Sequence, residues 1–419
     1  MLDRKHPTLV ASLEARAGVT KHGYHHYTRE GQPPEFVAYG ELLLRARRVA
    51  AALQERGLRK GDRVGLILPD SAQFVDAIYG AMMAGVIPVP VYPPLSLGQL
   101  DAYLDNTTHI LRRAGCKLVV TDARVRPILG TLMSDAPELR EIVVHTKLVA
   151  SVTERAEMRP VDVRPDDIAF LQFTSGSTSR PKGVMLTHGN LAANIQAIGG
   201  PSGLRINFES SAVSWLPLYH DMGLIGFVFT PIYYPTRGIE FLSPLMFLKR
   251  PSVWLRRITE FRPTIVFAPN FAWGLATKRV KDHELEGVDL SSLLVAGCGA
   301  EPIQFHTLNG FAKRYAAYGF KRTAFLPCYG MAEHSLAITF VGLEDDLKAD
   351  RVDAEALADG EARPVLEDPT AAAAEERDGI DGKGVIRVVS CGTPFPEHEL
   401  KIAEADGTPL PERRVGHIM

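Results

Sequence analysis

At 419 residues the chain is long for one small core, so two or three subdomains are expected. Hydrophobic residues make up 46% and charged residues 23%, the balance of a globular protein, which excludes a disordered or tail-like chain. A formal net charge of −2, with lysine and arginine spread along the chain, leaves no basic block for nucleic acid, and that partner is set aside.

The first residues, "MLDRKHPTLVASLEARAG", interrupt every apolar run with charge, unlike a signal peptide. "HGYHHY" at 22–27 brings three histidines together, but Gly23 and the flanking aromatics favour a strand or turn over a helical metal site, and a solvated segment is expected. In "GELLLRARRVAAALQERG" (40–57), Leu42, Leu43, Ala46, Val49, Ala50 and Leu53 fall at helical spacing, with Gly57 as the stop. "DRVGLILP", a capped helical "DSAQFVDAIYGAMMAG" and "VIPVPVYP" then make a βαβ unit. The uncharged run 77–94 is long enough to suggest a membrane span, but Pro88, Pro90, Pro93 and Pro94 would break a helix there. A buried helix running into a strand is expected instead, with no stable membrane insertion.

The alternation recurs with "KLVVTD", "EIVVH", "IAFLQFTSG", "GVMLTH", "SAVSWLPL", "PTIVFAP", "SLLVAGCG" and "TAFLPCYG". Near-continuous apolar strands between helices predict an α/β fold of two related layered subdomains, about 1–165 and 166–340, with mostly parallel sheets. Cys116, Cys298, Cys328 and Cys391 show no ligand spacing and read as reduced thiols of a cytoplasmic protein. After about 340 the chain turns acidic and Ala-rich with little strand pattern, so 345–383 reads as an exposed insertion or linker. "VIRVVSCG", "HELKIAEADGTPLP" and "RVGHI" then predict a small β subdomain at 385–419 with a D-G turn.

"FTSGSTSRPKGV" (173–184) gathers hydroxyls around Gly176 and ends in the cation of Lys182, a composition suited to polyphosphate. A Walker A loop would need glycine at 181 and serine or threonine at 183, followed by a helix. Pro181 has no N–H, Gly183 has no hydroxyl, and "GVMLTH" reads as a strand, so the loop is expected to join two strands as a flap over phosphate.

With "LPLYHDMGLIG" (216–226) and "CYGMAEHS" (328–335) in the same order, this loop resembles the core motifs of the adenylate-forming ligases, the group of acyl-CoA synthetases, luciferases and peptide-synthetase adenylation domains. The resemblance runs over nearly the whole chain. It implies the N-terminal domain of that fold, with a β-barrel-like small subdomain, and activation of a carboxylic acid with ATP and Mg²⁺ to acyl-AMP and pyrophosphate. Carried over by motif, Thr174, Ser175, Gly176, Ser177 and Thr178 hold the phosphates and Lys182 assists from the flap. Glu333 takes Mg²⁺, for which a hard carboxylate oxygen is the right donor. Tyr329, with Gly330 and Met331, faces adenine opposite the backbone of Gly299, Ala300 and Glu301.

Where amino-acid-activating domains carry an aspartate for the substrate ammonium, this chain has His220, which can orient a carboxylate. "LQFTSGST", "SWLPLYHDMGLIG", "APNFAW" and "CYGMAEHSL" are most similar to fatty acyl-AMP ligases, and 345–383 lies where that family's insertion falls. The resemblance then implies a fatty acid substrate, transfer to the phosphopantetheine arm of an acyl carrier protein or a polyketide or peptide synthase carrier domain, and an acyl pocket around Trp215, Met222, Gly223, Asn270 and Phe271. A fatty acyl-CoA synthetase and a non-catalytic acyl- or nucleotide-binding module are the alternatives. Family members continue to a "TGD" segment, a hinge and a C-terminal domain bearing the adenylation lysine. This chain ends at "VGHIM", so it is expected to be the large N-terminal domain, weakly active or inactive by itself.

Overall fold

The computed structural model describes residues 5–94, 100–130, 132–153, 157–174, 180–366 and 384–419. Two compact units are interleaved along the chain: Met1–Gly199, Ile206–Leu248 and Ala332–Leu336 in the first, Gly200–Arg205, Lys249–Met331 and Ala337–Met419 in the second. Each unit draws on segments distant in sequence, as parallel strands require, since every crossover between them spans a long stretch of chain.

In the first unit, Ile87–Pro90, Arg63–Ile67, Cys116–Thr121 and Glu141–Val144 form an all-parallel sheet in that order. Pro88 and Pro90 sit on its edge strand, where a missing ladder donor is tolerated. The preceding helix, Ser71–Met83, starts at Asp70, whose carboxylate accepts from the Gln73 N–H at 3.0 Å. It packs on helix Tyr39–Glu55 through Gly80, where a Cβ would stand 2.5 Å from Val49. The apolar run 77–94 is therefore helix, turn and edge strand. Among the described residues no helix is long and apolar enough to cross a membrane.

A second sheet of this unit corrects the solvated reading of "HGYHHY". Gly23–Tyr27 lies between Glu35–Ala38, antiparallel, and Gly238–Leu242, parallel, which in turn pairs with Ser211–Ser214. Tyr24 and His26 are buried, and His26 Nδ1 is 2.7 Å from Ser71 Oγ. Burial pushes His26 down to about 3, so the ring is neutral in the fold.

The second unit carries parallel strands Ile265–Ala268, Val295–Cys298 and Phe325–Gly330, followed by antiparallel Ala337–Phe340 and Thr393–Pro394. Trp273 meets Phe311 and Phe325 edge-on, at 4.9 and 5.2 Å, and anchors this unit's core. The stretch read as having little strand pattern contains strand Ala349–Asp353 and helix Ala354–Ala358. That strand pairs antiparallel with Val385–Val389. Residues 367–383 of the expected insertion lie outside the described residues. Beyond them, Ile402–Ala403 pairs with His417–Ile418, and Gly407, at φ +87°, supplies the left-handed residue of the D-G turn.

Candidate active site

The phosphate-type loop is the connection of a hairpin: Ile168–Thr174 pairs antiparallel with Lys182–Thr187, bringing Thr174 opposite Lys182 at its mouth. Ser175, Gly176, Ser177 and Thr178 lie outside the described residues. Gly183 faces Phe173, and a Cβ there would come within 2.9 Å of its ring. The glycine that breaks a Walker A pattern is thus required by strand packing. On the lysine side of the loop, His109 Nε2 donates to the Pro181 carbonyl at 3.2 Å, tying the hairpin to helix Leu100–Ala114.

Gln172 was not singled out from sequence. Its side chain is buried, and Nε2 donates to the Tyr219 carbonyl at 3.0 Å, so the hairpin strand grips the residue before His220. A polar residue inside an otherwise apolar strand was the available signal.

His220 precedes a short helix, Asp221–Leu224, that continues through a π-helical turn, Ile225–Phe229, into Thr230–Tyr233. Pro231 supplies no N–H to the ladder, and the Ile225 carbonyl accepts both the Thr230 N–H and, at 2.8 Å, the Thr230 hydroxyl. His220 Nδ1 lies 2.7 Å from Asp221 Oδ1, and the Met222 N–H donates to the same carboxylate oxygen at 2.6 Å. The 2.7 Å contact is far shorter than the 3.4 Å approach of the Met222 N–H to Nδ1, and a carboxylate oxygen only accepts, so Nδ1 is assigned as the donor to Asp221; among the described residues Nε2 makes no hydrogen bond. Burial pulls the imidazole pKa down, but the hydrogen bond and charge of Asp221 outweigh it and hold His220 above the usual histidine value. Gly223 has no room for a side chain: a Cβ would stand 2.2 Å from the Pro217 carbonyl. Met222 is buried, and buried Trp215 stacks flat on Phe247 at 4.0 Å.

Glu333 sits on the 3₁₀ turn Ala332–His334 and is exposed. Its segment belongs to the first unit, and Leu336 Cδ2 lies 3.9 Å from where a Cβ on Gly226 would be, against the helix that begins after His220. Among the described residues no group of three or more histidine, cysteine or acidic side chains could hold a metal. A single exposed carboxylate nevertheless fits Mg²⁺, which keeps several waters and binds through one or two carboxylates plus substrate phosphates.

In the second unit, Ala300, Glu301, Tyr329 and Gly330 line one cleft of about 560 Å³. Gly299 is needed for closeness, since a Cβ would meet Cys328 Sγ at 2.8 Å, and Ala300 takes a left-handed φ of +69°. The Tyr329 hydroxyl reaches Met331 Sδ at 3.8 Å. Asn270 and Phe271 fix this loop from outside the cleft: Glu301 Oε1 accepts from the Phe271 N–H at 2.5 Å, capping helix Asn270–Arg279, and Asn270 Oδ1 accepts from the Gln304 N–H at 3.0 Å. Burial pushes the Cys328 thiol up to about 12, leaving it an uncharged wall group.

The family described as AMP-binding enzyme matches residues 14–419. The chain belongs to the AMP-binding enzyme family. This AMP-binding enzyme has the fold of the adenylate-forming ligase N-terminal domain. It aligns with a solved structure from a study of the fatty acyl-adenylate ligases of E. coli and L. pneumophila at a TM-score of 0.89 and 35% identity, covering 99% of this chain and 72% of that one. A Caulobacter vibrioides protein named a putative acyl-CoA synthetase is 32% identical over 413 residues, 98% of this chain and 68% of its own length. The medium-chain-fatty-acid–[acyl-carrier-protein] ligase JamA of Moorena producens is 33% identical over 366 residues, 86% of this chain and 58% of its own.

Proposed function

We propose that this AMP-binding enzyme activates a fatty acid with ATP and Mg²⁺ to fatty acyl-AMP and pyrophosphate, and that the acyl group then passes to the phosphopantetheine thiol of an acyl carrier protein. The observation that carries the reading is the His220–Asp221 pair at 2.7 Å, linked through Gln172 to the hairpin of the phosphate-type loop. Asp221 raises the pKa of His220 and so widens the pH range over which the ring is doubly protonated; in that state Nε2–H can donate to a carboxylate. His220 and Met222 both contact Asp221 Oδ1, so that oxygen is already taken and the pair presents its imidazole to the substrate.

In this reading the substrate carboxylate rests on His220 while one of its oxygens attacks the α-phosphorus of ATP, and the bond to the pyrophosphate oxygen breaks. Thr174 and the loop up to Thr178 hold the β- and γ-phosphates, with Lys182 adding a cation at the hairpin mouth. Glu333 would hold Mg²⁺, which when bound would neutralise charge on the phosphates. Tyr329 stacks on adenine in the cleft it lines with Ala300, Glu301 and Gly330, with Gly299 and Met331 beside it, and the acyl-end roles of Trp215, Met222 and Gly223 rest on their motif alone. Asn270 and Phe271 serve this site through the loop they fix.

A carrier-protein acceptor is supported by the relative named an acyl-carrier-protein ligase, and a CoA acceptor by the one named a putative acyl-CoA synthetase. Mass spectrometry of the full-length protein with ATP, Mg²⁺, a lauric-type acid and equal CoA and holo carrier protein separates them. Acyl-carrier as the main product is expected. Dominant acyl-CoA would replace the proposed acceptor, and no acyl-AMP at all would leave only a binding module.

A further inference from the structure

Helix Leu100–Ala114 buries Tyr103, Ile110, Leu111 and Ala114 in the apolar core beside the parallel sheet of the first unit. Its opposite face carries Asp105, Thr108, His109, Arg112 and Arg113, spaced i, i+3, i+4, i+7 and i+8 along the helical repeat. With Arg180 of the hairpin connection these side chains line an open groove of about 440 Å³. We infer that this groove binds inorganic pyrophosphate as it leaves the hairpin mouth, a product-exit site separate from the loop that holds ATP; this rests on the ligase reading given above.

Charge decides what the groove takes. Three guanidinium groups face one carboxylate there, on a chain whose formal net charge is −2. Arg180 approaches Asp105 only to 3.8 Å, with both side chains about two-thirds exposed, so that pair holds neither group firmly. Among the described residues the Arg112 and Arg113 side chains have no ion pair and no hydrogen bond. Their place in the last turn suits the C-terminal dipole of the helix, but that accounts for neither Arg180 nor the groove between helix and hairpin. Planar guanidinium forks pair bidentately with phosphate oxygens, and several of them on one groove suit a multiply charged diphosphate better than a lone carboxylate. Position narrows the choice further. His109 Nε2 donates to the Pro181 carbonyl at 3.2 Å, which fixes the groove beside Lys182, the cation opposite Thr174 at the hairpin mouth. Breaking the bond between the α-phosphorus and the pyrophosphate oxygen frees a polyanion at that mouth, and the groove offers it a cationic site on the way to solvent.

The test is binding of inorganic pyrophosphate, and of ATP, by calorimetry in the full-length protein carrying Arg112→Gln together with Arg113→Gln, and separately Arg180→Gln. The double variant should raise the Kd for pyrophosphate about tenfold, the scale of charge-assisted contacts at an exposed site, while the Kd for ATP stays within about twofold. The fall of pyrophosphate affinity with rising salt should be shallower than in the wild type. Inhibition of acyl-AMP formation by added pyrophosphate should weaken in parallel. Arg112→Lys with Arg113→Lys should recover only part of the affinity, because the charge remains and the fork is lost. An unchanged pyrophosphate Kd overturns the inference, as does equal weakening of ATP, which would make the groove part of the ATP site. A raised KM for holo carrier protein with unchanged pyrophosphate binding also overturns it and gives the groove to the acceptor. A wild-type protein that forms no acyl-AMP fails the ligase reading itself, and the inference falls with it. Where the double variant does not fold, Arg180→Gln carries the same test from the hairpin side.

Discussion

Replacing Asp221 by asparagine keeps the size of the residue and removes the charge that raises the pKa of His220. In the structure Asp221 Oδ1 takes both the His220 Nδ1–H, at 2.7 Å, and the Met222 N–H, at 2.6 Å, so the asparagine carbonyl can still accept while the ionic component is lost. A hydrogen bond to a charged group contributes about 1.5–3 kcal/mol. The His220 side chain is 52% exposed, and solvent screening reduces this to about 1–2 kcal/mol. The expected result is a rise of roughly 5- to 30-fold in the KM for fatty acid at neutral pH, with ATP affinity unchanged. The pH profile carries the sharper test. Because the folded pKa of His220 is raised, fatty-acid affinity persists to a pH above the ordinary histidine value and is lost as pH rises through the folded pKa. In Asp221→Asn that loss should move to lower pH. Titrating fatty-acid binding from pH 5.5 to 9 by calorimetry measures both midpoints, and identical midpoints in the two proteins would refute the argument.

Gly223→Ala forces a Cβ to within 2.2 Å of the Pro217 carbonyl; overpacking of this kind costs about 1–3 kcal/mol, so thermal unfolding should move down by a few degrees and adenylate formation should fall more steeply than in Gly310→Ala, which meets no atom within 4 Å. Gln172→Leu leaves the Tyr219 carbonyl without its donor, about 1–3 kcal/mol, and should lower kcat/KM about tenfold or more in pyrophosphate exchange while far-ultraviolet circular dichroism stays unchanged. Burial pushes His26 down to about 3 and His145 and His188 to about 4, while it raises Asp76 to about 7. Near pH 5 the unfolded chain therefore binds three protons the native chain lacks, and the native chain holds one the unfolded chain lacks. Stability is present above about pH 6.5 and falls as pH drops toward 4, by about 2.7 kcal/mol per unit. Urea unfolding at pH 6, 5.5 and 5 should show that slope, roughly halved in His26→Asn.

Legibility from sequence followed the locality of the signal. Helix Tyr39–Glu55 and the βαβ unit around Ser71–Met83 are set by local periodicity and a capping aspartate, and both lie where the pattern puts them. The failure of the Walker A pattern at Gly183 correctly pointed to a hairpin, although its cause, the Phe173 ring across the pair, is visible only in the fold. "HGYHHY" was misjudged because its burial comes from a strand more than two hundred residues away, Gly238–Leu242. "ADRVD" is a strand because Val385–Val389 pairs with it, and a half-polar pentapeptide announces nothing of the kind. Motif resemblance located Glu301 and Asn270. Their side chains cap a helix and hold a loop, roles that depend on where the helix Asn270–Arg279 starts in space.

The most direct test is fatty-acid-dependent exchange of labelled pyrophosphate into ATP by the full-length protein. Exchange that requires Mg²⁺ and a medium- or long-chain fatty acid, and that disappears in Glu333→Ala, is the predicted result. Exchange driven by amino acids instead, or fatty-acid-dependent exchange unchanged in Glu333→Ala, would contradict the account.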